Sequence, residues 1–381
     1  MKIGLACPYN VFTGGGVTEQ VMALRAEYVK LGHQAKILTP QPRGYRGAIP
    51  DYIVTVGVSS NVKAFFHTNS QWSVSVDTDE IDKVFEREKF DVLNFHEPHV
   101  PLWGRQLLMR SQSANVATMH AMLPDTLTTK TIVNVVTPYT KPMLKYFDAF
   151  TATGKPATEY LLSIAKVPIT IVPCGVDVAK YNARPPEAVR NLKRKTILYV
   201  GRLEKRKGVR YLLRAYQELT ERHDDIQLYL AGVGPEEESL RNFIELHDIP
   251  RVTFMGFISE EEKIKLLHQA DVFCAPSHYG EGFGIVLLEA MAAGCPLVAG
   301  DNPGYLGVMK GFGAISMVNS QDSIDFARRL ELMIFNDDLR KLWERWAKSY
   351  IKQFDHSRIA KLYIDVYEKA IKSYAKSQKS S

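Results

Sequence analysis

The stretch GEGFGIVLLEA, Gly280 to Ala290, joins a glycine-rich turn to an apolar helical run, with Glu281 before the helix start and Glu289 within it. Gly282 and Gly284 free the backbone there. The N–H groups of Gly284, Ile285 and Val286 would head the helix, where donors lacking intrahelical partners can hold a phosphate. Glu289, about a turn further in, can accept hydrogen bonds from a ribose diol. Glu281, at the helix mouth, can reach another part of the same ligand. The plainer reading is a cap acid followed by a surface acid, but Glu289 is embedded in IVLLEAMAAG, where an unpaired carboxylate is costly.

Outward from this turn, short β-rich runs alternate with segments of helical period. KIGLAC opens the chain as a strand, and VTEQVMALRAEYVKLGH follows as a helix with Val17, Val21, Leu24, Tyr28 and Leu31 on one face. Strand-like runs recur at AKILT, DVLNF, NVATM, AFTAT and ITIVP. The pattern pauses at YNARPPEAVRNLKRK and restarts with the strand TILYVG and the helix GVRYLLRAYQELTER. IQLYLAG, VTFMG, DVFCAP and PLVAG then read as strands. Strands spaced by helices predict parallel sheets covered on both faces. The division expected is an N-terminal Rossmann-like domain over 1–181, a linker over 182–195, a C-terminal Rossmann-like domain over 196–355, and an amphipathic helix over 356–381. Two domains suit a chain of 381 residues. Open parallel sheets bind ligands beyond the carboxyl ends of their strands, so the cleft between two such domains is the expected site.

Apolar residues make up 45% and charged residues 24%, which is ordinary globular material apart from the polar tail KSYAKSQKSS. The run IGLAC is too short for a signal peptide, and the apolar stretch near Ile285 to Ala299 is interrupted by Glu289 and Pro296, so a cytoplasmic protein is expected. Cys7, Cys174, Cys274 and Cys295 form no C-x-x-C pair and read as small buried hydrophobes. The net charge of +6 is compatible with nucleic acid, an anionic membrane or a phosphorylated small molecule, and does not choose among them.

Three further loops follow strands. TGGGV, Thr13 to Val17, lets backbone approach a ligand at a helix N-terminus, or is merely a tight turn. It is a poor dinucleotide fingerprint, since Glu19 stands where the third glycine belongs and no acid ends the AKILTPQPRG strand. GRLEKRKG, Gly201 to Gly208, occupies the corresponding place in the second half. There Arg202 and Lys207 suit a diphosphate, while Lys205 and Arg206 are expected to face solvent. VATMH ends in His120, and DVLNFHEPH supplies His96, Glu97 and His99, without the H-E-x-x-H spacing of a zinc site.

The spacing E-x(7)-E in EGFGIVLLE, the GR…KG loop, the N-terminal GGGV and the CGVD before the linker together resemble the family 4 retaining glycosyltransferases, across nearly the whole chain. KIGLACPY, FDVLNFHEP, VATMH, ADVFCAP and GFGIVLLEAMAAG add the texture of the members that mannosylate phosphatidylinositol. The resemblance implies the GT-B fold: two Rossmann-like, doubly wound α/β domains facing across a cleft, with the C-terminal helix returning to the first. It implies transfer of a sugar, mannose from GDP-mannose, to an acceptor hydroxyl on a phosphatidylinositol-like lipid or another glycolipid or glycan precursor. Neither metal nor cofactor is implied beyond the nucleotide sugar, nor any nucleic acid. A peripheral contact with the inner face of the plasma membrane is implied.

Carried over residue by residue, Arg202 and Lys207 would hold the donor diphosphate, with Gly15, Gly16, Gly284, Ile285 and Val286 supplying close backbone. Glu281 would contact the transferred sugar, Glu289 the ribose, and Glu260 and Lys263 the guanine base. His120, with Arg202, Lys207 and Glu281, would form the catalytic set, and Tyr9, Gly16, His99 and His120 would face the acceptor.

The alternative is a family 4 enzyme using a UDP-sugar and a soluble or polysaccharide acceptor, and two features count against a phosphatidylinositol acceptor. VDTDEIDKVFEREKF carries Asp77, Asp79, Glu80 and Asp82, and an acidic helix repels an anionic surface. His99 also stands where a polar amide is expected. Phe65, Phe66 and Trp72 in KAFFHTNSQW would face lipid or pack inward. A dinucleotide oxidoreductase and a polyanion-binding protein are the readings from other classes. The incomplete fingerprint argues against the first, and the absence of aromatics among the loop charges against the second.

Overall fold

The computed structural model describes residues 1–12, 15–41, 44–63, 69–73, 77–100, 102–122, 136–189, 191 and 193–380. The chain forms two compact units, Met1–Cys174 with His356–Ser381, and Gly175–Asp355.

In the first unit β1 (Lys2–Ala6) leads to α1 (Gly16–Lys30), β2 (Gln34–Gln41), β3 (Ile53–Lys63), β4 (Asn69–Ser73), α2 (Thr78–Glu88) and β5 (Val92–His96). There follow α3 (Trp103–Arg110), β6 (Ala114–Met119), β7 (Ala149–Ala152), α4 (Glu159–Ile164) and β8 (Ile169–Ile171). The sheet order is β4-β3-β2-β1-β5-β6-β7-β8. Seven strands are parallel, and β4 turns back antiparallel on β3. The β3–β4 ribbon has no counterpart in the sequence expectation, because IVTVGVSSNVK mixes polar residues and a glycine into its β-branched run.

The second unit runs α5 (Val178–Asn182), β9 (Lys195–Val200), α6 (Val209–Thr220), β10 (Ile226–Ala231), α7 (Glu237–Leu246), β11 (Val252–Gly256), α8 (Glu260–Gln269) and β12 (Val272–Ala275). It continues with α9 (Ile285–Ala292), β13 (Leu297–Gly300), α10 (Pro303–Val308), β14 (Met317–Val318), α11 (Ser323–Phe335) and α12 (Asp337–Tyr350). Its strand order is β11-β10-β9-β12-β13-β14, with every adjacent pair parallel. Both sheets have the doubly wound order, whose direction of winding reverses beside the first strand, between β1 and β5 and between β9 and β12. This is the two-unit Rossmann-like architecture of the GT-B class.

The last helix, α13 (His356–Ser380), rejoins the first unit. Its Ile359, Ala360, Tyr363, Val366, Tyr367 and Ala370 are buried in one core with Ile3, Leu5, Val21, Leu24, Tyr28, Val92 and Val116. A polar chain runs through this core. Asn94 Nδ2 donates to Tyr367 Oη at 2.8 Å, the two hydroxyls of Tyr28 and Tyr367 lie 3.0 Å apart, and Thr118 Oγ1 donates to Asn94 Oδ1 at 2.7 Å.

The first crossing between units differs from the expected boundary at 181. Val176 N–H donates to Phe354 O at 2.9 Å, Asp177 caps α5, and Tyr181 is buried, so the chain joins the second unit from Gly175 onward. The expected linker is also partly packed, with Ala188 buried and its carbonyl accepting from the Arg184 guanidinium.

All four cysteines are free and buried, and burial pushes the Cys7 and Cys174 thiols up to about 12. Among the described residues no helix is long and apolar enough to cross a membrane.

Candidate active site

In the second unit Arg202, Lys207 and Glu281, part of the expected donor set, gather at the sheet's reversal. The loop leaving β9 carries Arg202, Lys205, Arg206 and Lys207, and the loop leaving β12 carries Ser277 and Glu281. Tyr199 Oη holds the first loop by donating to Arg202 O at 2.8 Å. The loops then meet backbone to backbone at Gly208. Its φ is +71°, and a Cβ there would lie 2.3 Å from Pro276 O, so only glycine fits. Gly304, at the start of α10, lets a third segment close in, since a Cβ there would meet Glu281 O at 2.2 Å.

Glu281 is the hub. Its Oε1 accepts from Lys207 Nζ at 2.6 Å, Arg206 at 3.0 Å and Ser277 Oγ at 2.8 Å. Burial alone would raise its pKa, but Lys207 and Arg206 outweigh burial and hold the carboxyl below the ordinary glutamate value. Arg206 is therefore not solvent-facing as its sequence suggests. Its guanidinium spans Glu204 and Glu281 at 2.9 and 3.0 Å. The reason is the short 3₁₀ turn Lys205–Lys207, which leaves Lys205 exposed and sends Arg206 back over the loop. Arg202 pairs with Glu204 at 3.0 Å and stays about half exposed. Four cations against two carboxylates leave surplus positive charge in a partly enclosed loop pair, which suits an anion such as a diphosphate.

Gly284, with φ +112°, begins α9, and the first bond of that helix runs from Leu287 N–H to Gly284 O. The amides of Gly284, Ile285 and Val286 thus precede the intrahelical ladder. Glu289 is buried, with 7% of its surface exposed, and is neutralised by Lys263 Nζ at 2.7 Å. Lys263 also lies 5.4 Å from the centre of the Tyr181 ring. Glu260, in the first turn of α8, pairs with Lys180 at 2.5 Å and accepts from Tyr181 Oη at 3.4 Å. Lys263 and Glu289 come together directly, while Glu260 is bound to α5.

In the first unit a second group gathers where β5 and β6 end. His96 Nδ1 and His120 Nε2 are 2.8 Å apart. Glu97, with φ +51°, turns its carboxylate beneath the next strand end, and its Oε1 accepts from the N–H groups of His120 and Ala121 at 2.8 and 2.6 Å. His99 Nδ1 lies 3.1 Å from Glu97 Oε2 without hydrogen-bond geometry. Burial, aided by the neighbouring His120, lowers the pKa of His96 well below the ordinary histidine value. His120 is also lowered, by burial first, with Glu97 opposing and His99 adding to the shift. Both rings are neutral at pH 7.

Tyr9 follows β1, and its phenol is pushed well above its ordinary pKa by burial and then by Glu97. Gly15 and Gly16 are exposed at the start of α1, with Gly15 at φ +135°. Thr13, Gly14, Phe65 and Phe66 lie outside the described residues, as does the side chain of Trp72.

Sequence reasoning missed the partners that hold the site. Ser277 sits directly beyond a strand end, a signal that was readable. Glu204 pairs within its own loop, with Arg202 and Arg206, while Lys180 and the packing roles of His96 and Glu97 depend on contacts from distant elements.

Comparison with known proteins extends this picture. Residues 182–350 match the family described as Glycosyl transferases group 1, and residues 14–180 match Glycosyltransferase Family 4. The phosphatidyl-myo-inositol mannosyltransferase of Mycobacterium leprae is 30% identical over 386 residues, covering 100% of both chains. Among solved structures, sucrose-phosphate synthase from Thermosynechococcus elongatus superposes with a TM-score of 0.76 at 18% identity, covering 96% of this chain and 98% of that one. Anabaena HepE in complex with UDP-glucose superposes with a TM-score of 0.73 at 17% identity, covering 97% and 99%. With a full-length relative at this identity and both halves matched, the chain belongs to the family 4 glycosyltransferases.

Proposed function

We propose that this glycosyltransferase is a retaining α-mannosyltransferase that uses GDP-mannose and delivers mannose to a hydroxyl of a phosphatidylinositol-like lipid. The observation that carries the donor half is the cation cluster of Arg202, Arg206 and Lys207 around Glu281 at the reversal of the second sheet. The mannosyl and lipid halves rest on the likeness to the mycobacterial mannosyltransferase.

In this reading Arg202 and Lys207 hold the diphosphate, with the first amides of α9. Glu289 takes the ribose, and Glu260 and Lys263 lie at the base, where a carboxylate can accept from guanine N1–H and N2–H. The reaction is a front-face displacement. The acceptor oxygen bonds to the anomeric carbon as the bond to the departing phosphate breaks on the same face. The hydroxyl proton passes to that phosphate, so no enzymic nucleophile or metal is required. Catalysis is then positioning plus stabilisation of charge on the leaving group.

A second reading is a UDP-sugar donor with a soluble or polysaccharide acceptor. The acidic first turn of α2, with Asp77 as its cap and Asp79 and Glu80 following, favours the acceptor half of this reading, because such a surface is repelled by anionic lipid. Calorimetric titration with GDP and UDP in parallel, without added metal, decides between them. Preference for GDP supports the first reading and preference for UDP the second. Binding of neither would overturn the donor site built on Arg202, Lys207 and Glu289. Turnover of GDP-mannose with phosphatidylinositol vesicles and with soluble glycans then tests the acceptor.

A further inference from the structure

We propose that His96 is a positioning residue that fixes the tautomer of His120, so that His120 offers an N–H donor through Nδ1 rather than a free lone pair. One proton lies between the two rings. His96 Nδ1 and His120 Nε2 are 2.8 Å apart, so one nitrogen carries hydrogen and the other accepts. His96 is 1% exposed, and its other nitrogen, Nε2, is buried without a hydrogen-bond partner among the described residues.

The two ways of placing the proton are unequal. If His120 donated from Nε2, His96 would accept at Nδ1, and its own proton would move to Nε2. That would bury an N–H with nothing to receive it, the rarest and costliest kind of orphaned polar group. If His96 donates from Nδ1 instead, only a lone pair is left at Nε2, and no donor is stranded. The second arrangement puts the His120 proton on Nδ1. No described residue forms a hydrogen bond there.

Two features keep the pair in this state. Both rings remain neutral near pH 7, because burial opposes protonation of each. The backbone of His120 is clamped separately, with its N–H and that of Ala121 both donating to Glu97 Oε1. Glu97 therefore fixes where the ring is attached, and His96 fixes its rotation and proton. A ring prepared in this way polarises a sugar or acceptor oxygen by donation. It does not take the proton of the attacking hydroxyl, which agrees with the leaving phosphate as base. This role rests on the proposed function and on the place of His120 in the catalytic set that the family resemblance implies. The tautomer itself does not.

The test separates the two. Long-range ¹H–¹⁵N correlation spectra of full-length protein with ¹⁵N-labelled histidine, assigned with His96→Asn and His120→Asn, are expected to place both protons on Nδ1 without any ligand present. A spectrum with the His120 proton on Nε2 would overturn the assignment whatever the enzyme's donor proves to be. Hydrolysis of GDP-mannose, and of UDP-glucose if UDP is the nucleotide that binds, supplies the second arm. His96→Leu is expected to lower kcat on the order of tenfold or more with little change in donor KM, and to release His120 into mixed tautomers. His96→Asn can place an amide N–H where Nδ1 stood, so it is expected to recover most of the rate and the single tautomer. Equal loss in both variants, or an unchanged kcat in His96→Leu, would overturn the positioning role.

Discussion

Glu281 draws two cations onto one oxygen, and a diphosphate would compete with it for both. Removing its charge frees Lys207 and Arg206 while leaving a side chain of the same size. Glu281→Gln is therefore expected to bind GDP at least as tightly as the native protein while turning over the sugar nucleotide at least about tenfold more slowly, because it weakens the contact to the transferred sugar that the family resemblance implies for Glu281. Calorimetry beside a turnover assay checks this. The same group sets an acid limit. Its folded pKa lies below the ordinary value of 4.5, so the unfolded state binds the proton more readily, and the stability it contributes is complete above 4.5 and lost as pH falls through the folded value. Denaturation midpoints should fall less steeply below pH 4.5 in Glu281→Gln than in the native chain. At this scale the sequence showed which residue types stand beyond the strand ends. It did not show Arg206 turning inward, since adjacent loop cations look alike until a 3₁₀ turn brings Arg206 to two carboxylates and leaves Lys205 exposed.

Among the elements, the last helix shows how a legible pattern can conceal its most specific contact. The apolar stripe of α13 is plain in Ile359, Val366 and its neighbours, and burial of that stripe ties the helix to the first sheet. The hydroxyl of Tyr367 does something the stripe cannot show, since it links Tyr28 on α1 to Asn94 on β5, residues distant in sequence. Tyr367→Phe keeps the apolar area but strands buried polar groups on two other elements. It is expected to cost about 1–3 kcal/mol, visible as a lower melting temperature with unchanged helix content. Tyr28→Phe, which leaves Asn94 paired, should cost less. Strand β3 was missed for the opposite reason. Its serines and asparagine obscure the alternation, and pairing with β2 and β4, rather than its own pattern, makes it a strand.

At the scale of the whole molecule, alternation along the chain was enough to read two parallel α/β units, while the order of strands and the exact crossing were not readable. Order depends on which edges meet, and the crossing moved to Gly175 because Asp177 and Tyr181 find their partners in the second unit. That unit is formed by the uninterrupted span Gly175–Asp355 and contains the loops expected to take the diphosphate. The first unit is made of two separate spans and holds the histidine pair. A nucleotide bound mainly to the second unit should stabilise it by RT ln(1 + [L]/Kd), about 2.7 kcal/mol at a hundredfold excess over Kd. Hydrogen exchange with GDP at that excess is therefore expected to slow the amides of 201–208 and 284–289 far more than those around His96 and His120. Equal protection in both units would mean that binding orders the molecule as a whole. Protection confined to the first unit would place the anion site at the start of α1, and the cation cluster around Glu281 would then be a structural brace.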